Sequence, residues 1–240
     1  MLEWSTQTAF VTGASGGIGR ELVAGLLERR VRRVYAADSM LAEALDSRVT
    51  AIELDITAHA AVQQAANRYG DTTLLINNAG VNLRAGFIKA PTLEAARREM
   101  EVNYFGTLAM CRAFAPVLEA NGGGALVNVL SILAKITNPA LGSYCATKAA
   151  LLRLTEGVRA ELASQGTHVL AAMPWAVDTA MSGPFAGAKS SPAEVAQGIL
   201  DAIASGVEEV YFHEMSAEIN RRLSTDPKGL ERSFSSWLPR

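Results

Sequence analysis

The sequence predicts an α/β protein with a Rossmann-like, doubly wound parallel sheet of about seven strands and helices on both faces. Three observations predict it. Short apolar, β-branched runs alternate with longer runs of helical period along the 240 residues. The first such run leads straight into a glycine-rich turn that opens a helix. No stretch reads as a linker, repeat or low-complexity segment, so one domain over 1–240 is expected.

The elements follow in order. Thr8–Thr12 (TAFVT) is apolar and β-branched and reads as a first strand. Arg20–Arg30 places Leu22, Val23, Leu26 and Leu27 on one helical face. Val34–Ala37 and Val49–Leu54 read as the second and third strands, and the Ala/Gln-rich Ala58–Tyr69 as a helix. Leu74–Ile76 is a fourth strand, stopped by Asn77-Asn78-Ala79-Gly80. A long helical region covers about 92–120, with a break expected near Pro116 because proline has no amide hydrogen to donate. Ala125–Val129 follows three glycines and reads as a fifth strand, and Tyr144–Leu162 as a strong helix. His168–Met173 is a sixth strand ending at Pro174. Ser191-Pro192 is a good start signal for a helix over Pro192–Ala204, and Val207–Phe212 is a candidate seventh strand. Strand–helix–strand units of this kind imply parallel pairing with right-handed crossovers.

Ligands of open parallel sheets bind beyond the carboxyl ends of the strands. The irregular stretch 176–191 (AVDTAMSGPFAGAKSS) follows the sixth strand and is expected to be a substrate lid. The tail Met215–Arg240, with Phe234, Trp237 and Leu238 near its end, is suited either to closing a pocket or to docking on a neighbour.

Composition narrows the function classes. Hydrophobic residues make up 49% and charged residues 19%, a globular balance. Lys+Arg 22 against Asp+Glu 24 gives a net charge of −2, which argues against a general nucleic-acid binder. Cys111 and Cys145 make neither a disulfide framework nor a metal site, and His59, His168 and His213 lack ligand spacing, so no metal is expected. The N-terminal residues lack a signal-peptide pattern, and no stretch is long and apolar enough to suggest a membrane span. A soluble, cytoplasmic protein is expected.

The turn Thr12-Gly13-Ala14-Ser15-Gly16-Gly17-Ile18-Gly19 joins the first strand to the first helix. Glycines allow a tight turn and close approach of a ligand, while the helix N-terminus offers free amides to an anionic pyrophosphate. It lacks the lysine and spacing of a P-loop. A purely structural turn is the alternative. Asp38, nineteen residues beyond Gly19 and just past the second strand, suits adenosine ribose hydroxyls and would repel a 2′-phosphate. No basic residue occurs in the turn before Gly19 or immediately after Asp38, so NAD(H) is favoured over NADP(H). A cap or solvated turn carboxylate is the other reading of Asp38. Asp55, at the end of the third strand, suits the adenine edge or merely a turn.

Tyr144 and Lys148 are four residues apart and share a helical face. A nearby ammonium favours phenolate, so Lys148 is expected to lower the pKa of Tyr144 and fit it for proton exchange with a carbonyl or alcohol. Ser131 follows the fifth strand, where its hydroxyl would donate to a substrate oxygen. Asn103 lies in the preceding helical region.

Together these residues resemble the short-chain dehydrogenase/reductase family in its single-domain form. The likeness rests on the Gly13/Gly17/Gly19 turn, Asp38, Asp55, Asn77–Gly80, Asn103, Ser131, Tyr144 and Lys148, in family order and spacing over about 8–180, with Thr179 at a further family position. It implies Tyr144 as general acid/base and Ser131 as the group that polarises the carbonyl. Lys148 would bind the nicotinamide ribose and tune the tyrosine, and Asn103 would hold a water in a proton relay. Cofactor contacts are implied at Gly13, Ser15, Gly17, Ile18, Gly19, Asp38, Asp55, Ile56, Asn78, Ala79, Gly80, Tyr144, Lys148, Pro174, Val177 and Thr179.

One departure is plain: the family usually has glycine after the proline ending the sixth strand, and here Trp175 stands there. Trp175 joins Leu133, Leu141, Met181 and Phe185 as expected substrate-pocket residues, with Leu83, Phe87 and Ile136 flanking. Their apolar character suggests a hydrophobic carbonyl, aromatic or aliphatic. The expected reaction interconverts a ketone and a secondary alcohol with NAD(H). A catalytically silent dinucleotide-binding sensor is the alternative, and a sugar-nucleotide epimerase is disfavoured by length. The likeness also implies a homo-oligomer, tetramer or dimer, packed through the 92–120 and 144–162 helices.

Overall fold

The structure, a computed structural model, describes residues 3–40, 46–183 and 185–238. Seven strands form one parallel sheet: β1 (Thr8–Thr12), β2 (Arg33–Asp38), β3 (Val49–Glu53), β4 (Leu74–Asn77), β5 (Ala125–Val129), β6 (His168–Pro174) and β7 (Glu209–Phe212). Their spatial order is β3-β2-β1-β4-β5-β6-β7, as a doubly wound sheet requires. The order reverses between β1 and β4, so the crevice at their carboxyl ends is the topological switch point.

Strand alternation sends side chains to two cores. Ala9, Val11, Leu74, Ile76 and Val127 face the layer of α1 (Gly17–Glu28) and α6 (Pro192–Ser205), against Leu22, Leu26, Ile199 and Leu200. Phe10, Leu75 and Leu126 face the opposite layer, which includes α2 (His59–Arg68), α4 (Thr107–Ala120) and α5 (Gly142–Leu162). Phe10 and Phe114 are the largest pair there, with ring centroids 4.7 Å apart. Each such buried ring or branched chain contributes roughly 1.5–3 kcal/mol. Ser191 opens α6 as expected: its hydroxyl accepts from the Glu194 amide at 3.1 Å, and the Glu194 carboxylate accepts from the Ser191 amide at 2.8 Å.

Two expectations need correction. The 92–120 region does not break near Pro116, which sits inside a continuous α4. Burial of Phe114 and Leu118 on either side holds that turn despite the missing amide. The irregularity lies earlier. A π-helical segment over Glu101–Gly106 joins α3 (Glu94–Met100) to α4 and carries Asn103. Segments of this kind concentrate at functional sites.

The tail is also more ordered than its sequence pattern suggests. It forms α7 (Glu214–Thr225) and α8 (Pro227–Phe234). The Asp226 carboxylate accepts from the Gly229 amide at 2.8 Å and caps α8, and Ile219, Leu230 and Phe234 pack on Ile132. Lys135 ties this unit to the sheet: its ammonium donates to Glu209 at 3.0 Å, to Asn220 at 3.0 Å and to the Tyr211 hydroxyl. No helix among the described residues is long and apolar enough to cross a membrane.

Candidate active site

The carboxyl ends of the strands open into one cavity of about 640 Å³. At its nucleotide end the turn after β1 is held by side chains. Gly13 has φ +64°, and a Cβ there would lie 2.8 Å from the Ala79 Cα, so β1 and β4 meet at a point only glycine permits. Asn78 donates its side-chain amide to the Thr12 and Gly13 carbonyls at 3.1 and 3.0 Å. The Thr12 hydroxyl accepts from the Asn78 and Ala79 amides at 3.0 and 3.1 Å. Thr12 was not among the expected site residues. Its position at the end of β1, directly before Gly13, is the sequence signal that marks it.

Gly13, Gly17 and Ile18 line the cavity, together with Asn78, Ala79 and Gly80. Gly19 does not, because it packs under the turn against the Gly13 carbonyl. Ser15 is also absent from the wall; its amide donates to the Asp38 carboxylate at 2.9 Å. The turn-capping role weighed for Asp38 is therefore real, and Asp38 lines the cavity as well. Asp55 and Ile56 line the same end. The Asp55 carboxylate accepts from the Thr57 amide at 2.9 Å and hydroxyl at 2.7 Å, and these bonds hold its pKa below the ordinary value.

Tyr144 and Lys148 project from the first turns of α5 into the middle of the cavity. Both are buried. The Lys148 ammonium donates to the Val129 carbonyl at the end of β5, at 2.9 Å, and sits 5.7 Å from the centroid of the Tyr144 ring. Ser131 lines the same cavity. Its hydroxyl accepts from the Leu133 amide at 3.2 Å, lies 3.5 Å from the Pro174 carbonyl, and neighbours the Tyr144 phenol.

The expected lowering of the Tyr144 pKa is not what the structure shows. Burial raises it, Glu99 and Cys145 push the same way, and the Ser131 hydrogen bond only partly opposes this. Burial also lowers Lys148 to about 8, and its ammonium bonds a carbonyl rather than the phenol. The Tyr144 phenol therefore stays protonated across neutral pH.

Asn103 is fully buried behind the wall rather than on it. Its side-chain carbonyl accepts from the Val81 amide at 2.8 Å, and its amide donates to the Val81 carbonyl at 2.9 Å and Thr147 hydroxyl at 3.0 Å. Both amide hydrogens are engaged, so the side chain clamps the loop after β4 to α5. Glu99, also not expected at the site, works beside it. It is buried on α3 and accepts from the Leu83 amide at 2.6 Å.

Leu133, Leu141, Trp175, Met181 and Phe185 also line the cavity. Leu83, Phe87 and Ile136 stand outside the cavity wall: Leu83 and Phe87 are exposed, and Ile136 packs against the Ile132–Ile219 cluster. Among the wall residues that were not expected are Arg84 and Trp237. Arg84, at φ +57°, donates to the Met181 carbonyl at 2.8 Å, and Trp237 arrives from the tail. Nothing in the local sequence marks Arg84; Trp237 was noted only as a tail aromatic.

Pro174, Val177 and Thr179 line the cavity where the 176–191 stretch leaves β6. A Cβ on Gly17 would lie 2.5 Å from the Thr179 side chain, so this stretch crosses the glycine turn. It is pinned by a short ladder in which Asp178 donates to Ser190 at 2.9 Å and Ser190 to Ala176 at 3.0 Å. Pro184 of this stretch lies outside the described residues.

A glycine cradle at a switch point, with a phenol, an ammonium and a hydroxyl converging beyond it, is the equipment of a nucleotide-dependent oxidoreductase. Comparison with known proteins agrees. The family model described as short chain dehydrogenase matches residues 7–189, and the chain belongs to that family of oxidoreductases. A short-chain dehydrogenase from Burkholderia cenocepacia, solved in complex with NADP, is 44% identical with a TM-score of 0.93, over 98% of this chain and 100% of that one. A sorbitol dehydrogenase from Cereibacter sphaeroides is 33% identical over 72% of this chain and 71% of its own length. A 2-(R)-hydroxypropyl-CoM dehydrogenase from Xanthobacter autotrophicus is 29% identical over 74% of this chain and 77% of its own.

Proposed function

We propose that the protein reduces a hydrophobic ketone to a secondary alcohol, reversibly, with NAD(H) as the preferred nicotinamide cofactor. The observation that carries this is the convergence of Ser131, Tyr144 and Lys148 on one cavity that also contains the glycine turn. The residues present fit a dinucleotide: the turn's backbone approaches where a Cβ would clash, and the N-terminus of α1 faces the same cavity. Gly13, Gly17 and Ile18 would hold the pyrophosphate, Asp38 and Asp55 the adenosine end, and Asn78–Gly80, Val177 and Thr179 the nicotinamide end. The bound cofactor supplies or accepts the hydride.

The chain's own residues do the rest. Ser131 directs a hydrogen bond at the substrate carbonyl, which fixes its orientation and stabilises developing negative charge. Tyr144 donates the proton to that oxygen as the alcohol forms. Its raised pKa suits this direction, because the phenol remains protonated until a strong base appears in front of it. Lys148 would hydrogen-bond the ribose hydroxyls of a bound dinucleotide, and its positive charge near the phenol would stabilise the phenolate left behind. In the reverse direction the positive charge of an oxidised nicotinamide would help lower the phenol.

Mixing the protein with NADH and a panel of ketones tests this reading. Loss of NADH absorbance with at least one hydrophobic ketone is expected; tight NADH binding with no turnover on any carbonyl would favour the sensor reading instead.

The NAD(H) preference rests on Asp38. One of its oxygens accepts from Ser15, which fixes the carboxylate at the end of β2, where a 2′-phosphate would meet its charge. Asp38→Ala is expected to raise the KM for NADH about tenfold or more and to narrow the preference over NADPH, since a charge-assisted hydrogen bond contributes roughly 1.5–3 kcal/mol. A wild-type enzyme that prefers NADPH, the oxidised form of which the Burkholderia cenocepacia relative holds, would refute this assignment.

We further propose a homo-oligomer, dimer or tetramer, packed through α4 and α5. A groove between these helices carries Tyr104, Leu108, Leu154 and Val158, and Phe105 is exposed next to it. Cys111 and Cys145 are free and buried, which fits a reducing compartment such as the cytoplasm.

A further inference from the structure

Four aromatic rings from three separate parts of the chain meet at the substrate end of the cavity. Trp175 follows β6, Phe185 belongs to the stretch that crosses the glycine turn, and Phe234 and Trp237 come from the tail. Trp175 lies 5.8 Å from Phe185 and 6.3 Å from Trp237 between ring centroids, and Phe185 lies 6.0 Å from Trp237. Phe234, buried behind them, is 5.3 Å from Trp237 and 6.3 Å from Trp175. Trp175, Phe185 and Trp237 line the same cavity as Ser131 and Tyr144.

The tail is seated rather than draped. The Trp237 carbonyl accepts from the Ala140 amide at 2.9 Å, and its own amide donates to the Phe234 carbonyl at 3.0 Å. Ala140 precedes Leu141 and α5, so the backbone that carries Trp237 is fastened beside the turn leading to Tyr144.

Polar side chains are few at this end, and two of them are partly engaged. The Asn138 side chain accepts from the Ala140 amide at 3.0 Å, and Arg84 donates to the Met181 carbonyl at 2.8 Å. A polyol substrate would meet mostly apolar wall here and find few partners for its hydroxyls, and each unpaired buried hydroxyl is costly. Rings set at interplanar angles of 64° to 81° around Trp175 instead present edges and faces together. That is the geometry in which a further flat ring finds edge-to-face partners.

We propose that this wall is an aryl subsite: the substrate class is a ketone whose carbonyl is attached to, or one or two atoms from, an aromatic ring, and Trp237 of the C-terminal tail is a specificity-determining residue. This rests on the ketone-reductase reading above. Hydrophobic burial alone would accept a saturated ring of equal size, so the discrimination comes from the rings.

The test compares kcat/KM for acetophenone and for cyclohexyl methyl ketone, which differ in the ring's unsaturation, in wild type, Trp237→Leu and Trp237→Phe. The acetophenone-to-cyclohexyl ratio is expected to fall about three- to tenfold in Trp237→Leu, mainly through the KM for acetophenone, and to stay within about twofold of wild type in Trp237→Phe, which keeps a ring. A ratio unmoved by Trp237→Leu, or lowered equally by Trp237→Phe, overturns the aryl subsite while leaving ketone reduction in place. If no carbonyl of any kind is reduced by the wild type, the ketone-reductase reading has failed and the subsite falls with it.

Discussion

Tyr144→Phe is expected to lower kcat for ketone reduction by about 10²–10⁴-fold, the range that a positioned general acid contributes. Dinucleotide binding, read by titration with NADH, should change little, because the ring remains and only one oxygen is lost. The substitution removes the phenol beside Ser131 but leaves Ser131 tied to the Leu133 amide at 3.2 Å. The hydroxyl that orients the carbonyl therefore stays in place, and the loss reports on proton donation. Equal rates in the two proteins would remove Tyr144 from the mechanism and return the site to a binding role.

Lys148→Met should do two things that ordinarily do not go together: abolish most activity and raise stability. The ammonium is buried, with one carbonyl partner and no carboxylate ion pair among the described residues. Burial lowers its pKa from 10.5 to about 8, which is to say the folded chain bears a cost for keeping the charge. Methionine fills a similar volume without charge. After allowing for the Val129 carbonyl left without its donor, a net gain of about 1–2 kcal/mol is expected, or several degrees in Tm.

The sign with pH follows from the same shift. Below about 8 the lysine is protonated in folded and unfolded chains alike, and its cost is constant. Between about 8 and 10.5 the unfolded chain holds a proton that the folded chain has released, so wild-type stability rises with pH relative to the variant. The Tm gap between the two should be widest at neutral pH and narrow toward pH 10.5. A variant that is destabilised at pH 7 would contradict the picture of Lys148 as a costly group kept for chemistry.

What could be read from the sequence, and what could not, divides along physical lines. Strand positions and the glycine turn were legible because their signals are local. Thr8–Thr12 alternates between two cores, and the turn at Gly13 needs a positive φ. The cavity likewise gathers Asp38, Ser131 and the Tyr144–Lys148 pair from three separate segments.

The errors concern burial and long-range contact. The direction of the Tyr144 shift depends on how much water the fold removes from the phenol, which helical spacing to Lys148 does not report. The π-helical segment arises where Asn103 reaches back to Val81, a contact between residues that no local period links. The tail helices depend on Lys135 and Ile132 as docking points far earlier in the chain. Trp237 became a wall residue for the same reason: its seat is Ala140, nearly a hundred residues away in sequence.

The most direct test of a phenol that donates a proton over a buried ammonium is the pH dependence of single-turnover ketone reduction with NADH already bound. In wild type the rate should be level through neutral pH and fall above about 8, as Lys148 loses its proton while Tyr144 keeps its own. In Lys148→Met the profile should be low and lack that falling limb. The same limb near pH 8 in both proteins would show that another group governs the step, and the roles given to Tyr144 and Lys148 would have to be abandoned.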